Sequence, residues 1–138
     1  MQVVFAFVVA TLFYANVDGA CWNGNDVVTV KGVLKCKHNP APYVKLMLYD
    51  EDDGRDAEPN PDDLLGDTVT GNNGQFLVTG TGCDYFDPID PYVLIEASCI
   101  KIGYDEEFCY TEKRIDVEQE YVNGVPKKID VDLCTELK

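Results

Sequence analysis

From Val28 onward the chain alternates apolar and polar residues with a period of two. Val28, Val30, Leu34 and Cys36 fall on one side, and Thr29, Lys31 and Lys35 on the other, as in a half-buried strand. Pro40 and Pro42 interrupt this strand. A second follows, with Val44, Leu46 and Leu48 on one face and Tyr43, Lys45, Met47 and Tyr49 on the other. Residues 50–61 form an acidic loop in which Pro, Gly and like charges oppose regular pairing. Residues 64–70 resume as a short strand, and Asn73-Gly74 is a two-residue hairpin signal that predicts residues 76–79 pairing back across the turn. Residues 80–91 read as a loop rich in Gly, Asp and Pro. Residues 92–99 then form the most apolar strand, with Val93, Ile95, Ala97 and Cys99 on one face. Residues 108–117 are strand-like, Tyr121-Val122-Asn123-Gly124 signals a turn, and Ile129, Val131 and Leu133 alternate with Asp130 and Asp132. No useful stretch has a period of 3.6, although a short helix fits within residues 118–122 or after Gly80. About seven short strands between turn signals predict an all-β, two-sheet β-sandwich. Its core should contain Val30, Leu34, Leu46, Leu48, Phe76, Val93, Ile95 and Leu133.

Ahead of the alternating region, residues 3–15 form an uncharged apolar run interrupted only by Thr11 and Tyr14. A transmembrane helix needs roughly 20 apolar residues. The run instead fits the core of a signal peptide, with Val17 and Gly19 placing cleavage after Gly19 and a cut after Ala20 as the alternative. Residues 1–19 are therefore expected to be removed, leaving an exported domain over residues 20–138 without a transmembrane anchor. The n-region lacks Lys and Arg, so the α-amino group alone supplies its positive charge.

The 138 residues suffice for one domain, and a hydrophobic fraction of 46% excludes a disordered acidic tail. With 11 basic residues against 25 acidic ones, the net charge of −14 argues against nucleic acid as a partner. It argues equally against docking on anionic lipid by simple attraction. The six cysteines are Cys21, Cys36, Cys83, Cys99, Cys109 and Cys134. An even number in a small exported domain reads as a disulfide framework, which spacing alone cannot pair. Zinc would need close cysteine pairs, but the closest spacing is Cys99 to Cys109, and His38 is the sole histidine. His38 lies in a Lys-His-Asn-Pro turn, where it is expected to face solvent rather than act as a base.

Residues 50–67 carry nine carboxylates against Arg55, which raises the question of calcium. An EF-hand loop requires acids at positions 1, 3 and 5 and Gly at 6. Counting from Asp50, those last two places are Gly54 and Arg55. The loop is therefore expected to be a solvated run that protects a strand edge, with no metal or cofactor. Glu96 is expected to face water on the outer side of its strand. No nucleophile elbow, Walker loop or dinucleotide fingerprint occurs, and no catalytic residues are assigned.

Several motifs occur in a telling order. They are Val30-Lys31-Gly32-Val33-Leu34-Lys35-Cys36, Val44-Lys45-Leu46-Met47-Leu48-Tyr49-Asp50, Pro61-Asp62-Asp63-Leu64-Leu65, Gly74-Gln75-Phe76 and Ile89-Asp90-Pro91-Tyr92. Cys99, Cys109, Tyr121-Val122 and Pro126-Lys127-Lys128-Ile129 follow. Together they resemble the nematode transthyretin-like proteins. The resemblance implies an exported, transthyretin-type (immunoglobulin-like) sandwich with binding or signalling roles outside cells. The chain departs from the usual pattern at Ala97, where the family usually has histidine, and in the extra cysteines Cys21, Cys83 and Cys134. The related 5-hydroxyisourate hydrolases would require several histidines, an arginine and a Tyr-Arg-Gly-Ser terminus. This chain has His38, Arg55 and Arg114 and ends Cys-Thr-Glu-Leu-Lys, so an enzyme is not expected.

The resemblance implies a non-catalytic recognition or bridging protein whose partner is an extracellular protein or cell-surface ligand. The alternative is a carrier of a small lipophilic ligand in an oligomeric channel. Tyr85 and Phe86 are candidates for partner contact, or else for plugging the sandwich end beside Cys83. The resemblance also implies first and last strands that run antiparallel in one sheet. That would favour Cys21–Cys134, with Cys99–Cys109 and Cys36–Cys83 or, alternatively, Cys36–Cys109 and Cys83–Cys99.

Overall fold

The computed structural model describes residues 25–52, 54, 58, 60–84 and 87–135. The expected signal peptide, Cys21, Tyr85 and Phe86 lie outside the described residues. In chain order the strands are β1 (Asp26–Cys36), β2 (Asn39–Pro40), β3 (Lys45–Asp50), β4 (Asp63–Val69) and β5 (Gln75–Gly82). They continue as β6 (Pro91–Ile95), β7 (Ser98–Ile102), β8 (Glu106–Tyr110), β9 (Lys113–Asp116) and β10 (Lys127–Asp132). A single 3₁₀ turn, Gln119–Tyr121, falls inside the segment expected to accommodate a short helix.

One sheet has β1 at its centre, with β10 on one side and β5 and the short β2 paired to it as well. The other runs β4–β3–β6–β9, and β7 with β8 forms a separate hairpin. The two larger sheets bury one core. All eight residues expected there belong to it, and Val30, Leu34, Leu46, Leu48, Val93 and Ile95 are wholly inaccessible. The alternation predicted for the first strand is observed. Val28, Val30, Leu34 and Cys36 are buried, while Lys31 and Lys35 are exposed.

Four expectations change. First, residues 76–79 do not pair back onto the preceding strand. The Asn73-Gly74 turn reverses the chain, but β5 pairs with β1 while β4 pairs with β3. The turn thus joins the two sheets at their edge. There β4 and β5 approach closely without a ladder, and a Cβ on Gly80 would lie 2.6 Å from that of Leu65. Second, the apolar run 92–99 is two strands. All five residues of β6 are buried, whereas residues 96–99 are exposed and the chain turns into β7. Ala97 and Cys99 therefore do not continue the buried face of Val93 and Ile95. Third, residues 108–117 divide into β8 and β9 at Thr111 and Glu112, and the described residues form ten strands where about seven were expected.

The fourth change concerns the last strand. β10 runs parallel to β1, in register from Val30↔Lys127 to Lys35↔Asp132. The end of β10 thus lies beside the end of β1, not its start. Cys134 accordingly bonds Cys36, with the two Cα atoms 4.7 Å apart, and not Cys21. Cys99 and Cys109 are ladder partners across the β7–β8 hairpin and form the second described disulfide, as expected. These two bonds exclude Cys36–Cys83 and the alternative set. Cys83 is itself disulfide-bonded.

Candidate functional site

The acidic loop is not simply a solvated run. Asp50 ends β3 facing inward and is 1% exposed, because its neighbours on both sides are strands of the same sheet. Asp63 of β4 stands opposite it on one side and Pro91 of β6 on the other. Its Oδ1 accepts the Asp90 N–H at 2.9 Å, while Oδ2 is buried with no hydrogen-bond partner. Asp52 and Asp84 approach it, so that one oxygen from each of the three carboxylates lies within 4.8 Å of the others. Burial, followed by the charges of neighbouring acids, pushes the Asp50 carboxyl up to about 7. The same causes push Asp52 up to about 6 and raise Asp84.

Asp62, also buried, shows the opposite behaviour. Its Oδ1 accepts the N–H groups of Asp52 at 2.7 Å and Gly54 at 2.8 Å, and its Oδ2 accepts the Tyr92 hydroxyl at 2.5 Å. Burial alone would raise this carboxyl, but these donors and Arg114 outweigh it and hold it below the usual carboxylate range. Tyr92 stacks on Tyr49, with ring centroids 5.4 Å apart. The Arg114 guanidinium lies 3.9 Å from the Tyr92 ring and pairs with Glu51 at 3.1 Å and Asp116 at 2.9 Å. Asp62 therefore ties the start of the loop to β6, while Asp50 and Asp52 are crowded by like charge and Asp84 is raised by burial against a hydrogen bond from Asp50 that lowers it.

A second surface lies on the outer face of the β10–β1–β5 sheet. An open groove of about 540 Å³ is lined by Lys31, Gly32, Gln75, Phe76, Leu77 and Lys128, among others. Lys31 and Lys128 supply positive charge on a strongly acidic protein, and Leu77 is 59% exposed beside them. Lys128 also reaches Asp130 at 3.7 Å, an exposed pair of little strength.

Asp50 and Asp52 fall in one loop of the sequence, but their link with Asp84 is provided only by the fold. The chain leaving β5 must cross the end of the sandwich where β3 stops in order to enter β6. His38 is exposed, with its ring 3.6 Å from Asp132. Glu96 is exposed, and its backbone N–H donates to the Lys45 carbonyl at 3.0 Å.

Residues 31–118, more than half of the chain, match the transthyretin-like family as represented by TTR-52. The chain belongs to the transthyretin-like family. Three relatives from Caenorhabditis elegans agree. Transthyretin-like protein 46 is 40% identical over 52% of this chain and 37% of its own length. Transthyretin-like protein 33 is 43% identical over 51% of this chain and 46% of its own, and transthyretin-like protein 5 is 41% identical over 51% and 47%. The chain thus spans less than half the length of these relatives. The matched segment of this transthyretin-like chain runs from β1 through β9, taking in both the groove strands β1 and β5 and the acidic end. The parallel strand β10 and Cys134 fall beyond it.

Proposed function

We propose that this transthyretin-like protein is a secreted, non-catalytic bridging module that joins a cell surface to a second extracellular ligand. The observation that carries the reading is the separation of two surfaces of opposite chemistry on one rigid sandwich. The lysine-flanked groove takes in Gln75, Phe76 and Leu77 at the start of β5, whereas Asp84 follows the end of that strand. Leu77 and Asp84 are seven positions apart, roughly 20 Å of extended chain at the usual strand rise. Partners on the two surfaces need not collide. The groove's exposed leucine and lysines suit an acidic protein surface, where apolar contact supplies affinity and charge supplies selection. The disulfides suit an oxidising compartment. Among the described residues no helix is long and apolar enough to cross a membrane.

The test is cross-linking of the mature protein to intact cells, followed by identification of what is captured. One recovered surface protein, with capture reduced at least about tenfold by Lys31→Glu with Lys128→Glu, is the expected result for a charge-selected contact. Undiminished capture by that variant would remove the groove from the reading. A tetramer-sized elution with a co-purifying lipid would replace bridging with carriage.

A further inference from the structure

Asp50, Asp52 and Asp84 come from two separated segments of chain, yet one oxygen from each falls within 4.8 Å of the other two. Oxygens bound to one calcium ion lie 2.3–2.6 Å from it, so two of them can stand up to about 5 Å apart. The three carboxylates therefore match the span of a single coordination shell. A second, independent feature points to a ligand. Asp50 is 1% exposed and its Oδ2 has no hydrogen-bond partner. Buried acceptors in native folds are nearly always satisfied, and an orphan calls for a partner such as a water or an ion.

Among the described residues, no basic side chain figures among the groups that act most strongly on the three carboxylates. Those groups are acidic, namely Asp62, Asp63, Asp87 and Asp90 and the three themselves. Arg114, a described cation at this end of the sandwich, is committed to Glu51, Asp116 and the Tyr92 ring. Asp62 already has its own donors in Tyr92, Asp52 and Gly54.

We propose that Asp50, Asp52 and Asp84 form a calcium site at the acidic end of the sandwich. A set made only of carboxylate oxygens selects a hard cation. Its irregular loop frame suits calcium, which accepts variable geometry, better than magnesium, which demands a near-ideal octahedron. Three protein carboxylates, with the remaining positions filled by water or backbone oxygen, place the affinity in the range of extracellular modules, about 10⁻⁴–10⁻³ M. The inference uses the acidic end that the bridging reading also counts as one of its surfaces, but its calcium titration is distinguishable from the groove test, which reads Lys31 and Lys128.

The test uses the mature chain freed of divalent ions with a chelator. Calcium chloride is titrated against magnesium chloride and against sodium chloride at matched ionic strength. Thermal unfolding and isothermal titration calorimetry are read together. The expected result is a saturable rise in Tm of several degrees at millimolar calcium, with heat of binding at one site and a weaker response to magnesium. Asp84→Asn, at a half-buried position, should move the calcium midpoint roughly tenfold higher because one charged ligand is lost. Asp105→Asn, in the distant β7–β8 turn, should leave it unchanged. If wild type responds to calcium no more than to sodium, or if Asp84→Asn responds as wild type does, the site does not exist. The wild-type titration decides the matter even if a variant fails to fold.

Discussion

Asp132 holds together a turn nearly a hundred residues earlier in the chain. Lys37 and His38, between β1 and β2, take left-handed conformations with φ of 49° and 69°, which cost energy for residues with a Cβ. Their N–H groups donate to the Asp132 carboxylate at 3.0 and 2.7 Å, and Cys134 N–H donates to it at 3.1 Å. Burial alone would raise the carboxyl, but these three donors outweigh it and hold its pKa below the usual 3.8. Asp132→Asn should cost about 1 kcal/mol at neutral pH, because the donors it leaves are exposed or half-buried and water can replace the lost acceptor. A carboxyl lowered by folding contributes stability above its unfolded pKa and loses it as pH falls through the native value. Urea unfolding of both proteins should therefore show a full difference at pH 7 that shrinks steadily below about pH 4. A difference that stays constant down to acid would mean that the carboxylate is not what holds the turn. The turn itself was legible in the sequence, and so was the exposure of His38. The clasp was not, because Asp132 reads only as the polar member of an alternating pair until the strand partner is known.

At the scale of elements, the period of two reported which face each strand buries but not which strand it joins. Val44, Leu46 and Leu48 point inward as their spacing predicts. The Asn73-Gly74 signal marked a true reversal, yet it carried no information about sheet membership. The apolar run at 92–99 concealed a break because β6 is buried on both sides, leaving no polar alternation to stop. Parallel pairing of β10 was equally hidden, since period two is blind to strand direction. Gly32 is the residue that permits this pairing. A Cβ there would fall 1.7 Å from the Ile129 carbonyl oxygen and 2.7 Å from its carbon, and neither can yield without parting β10 from β1. Gly32→Ala should therefore destabilise by more than the roughly 1–3 kcal/mol of an overpacked core. Amide exchange should accelerate first in residues 127–132, the strand pushed away. Unchanged exchange there, with unchanged stability, would contradict the placement of β10.

Across the whole molecule, the two described disulfides differ in what they constrain and in how exposed they are. Cys36–Cys134 spans 98 positions and joins the sheet's central strand to the residues just after its parallel neighbour, with Cys36 wholly inside the core. Cys99–Cys109 spans 10 and crosses one hairpin, with both residues exposed. Loop-closure entropy assigns about 4–5 kcal/mol to the long bridge and about 3 kcal/mol to the short one. Burial widens the gap, because replacing Cys36 also removes packing from the core. The pair Cys36→Ala with Cys134→Ala should thus lower the urea midpoint further than Cys99→Ala with Cys109→Ala. Reduction should follow the reverse order. A mild reductant should open Cys99–Cys109 first, since a thiolate must reach the sulfur it attacks. The sandwich should remain folded at that stage, because the hairpin pairs with neither large sheet. Cys36–Cys134 should yield only when β10 lifts from β1, so its reduction and the loss of native structure should coincide. Alkylation at successive times, read by peptide mapping alongside circular dichroism, checks both orders. Early labelling of Cys36 in a folded protein would show that the parallel edge opens independently of the core.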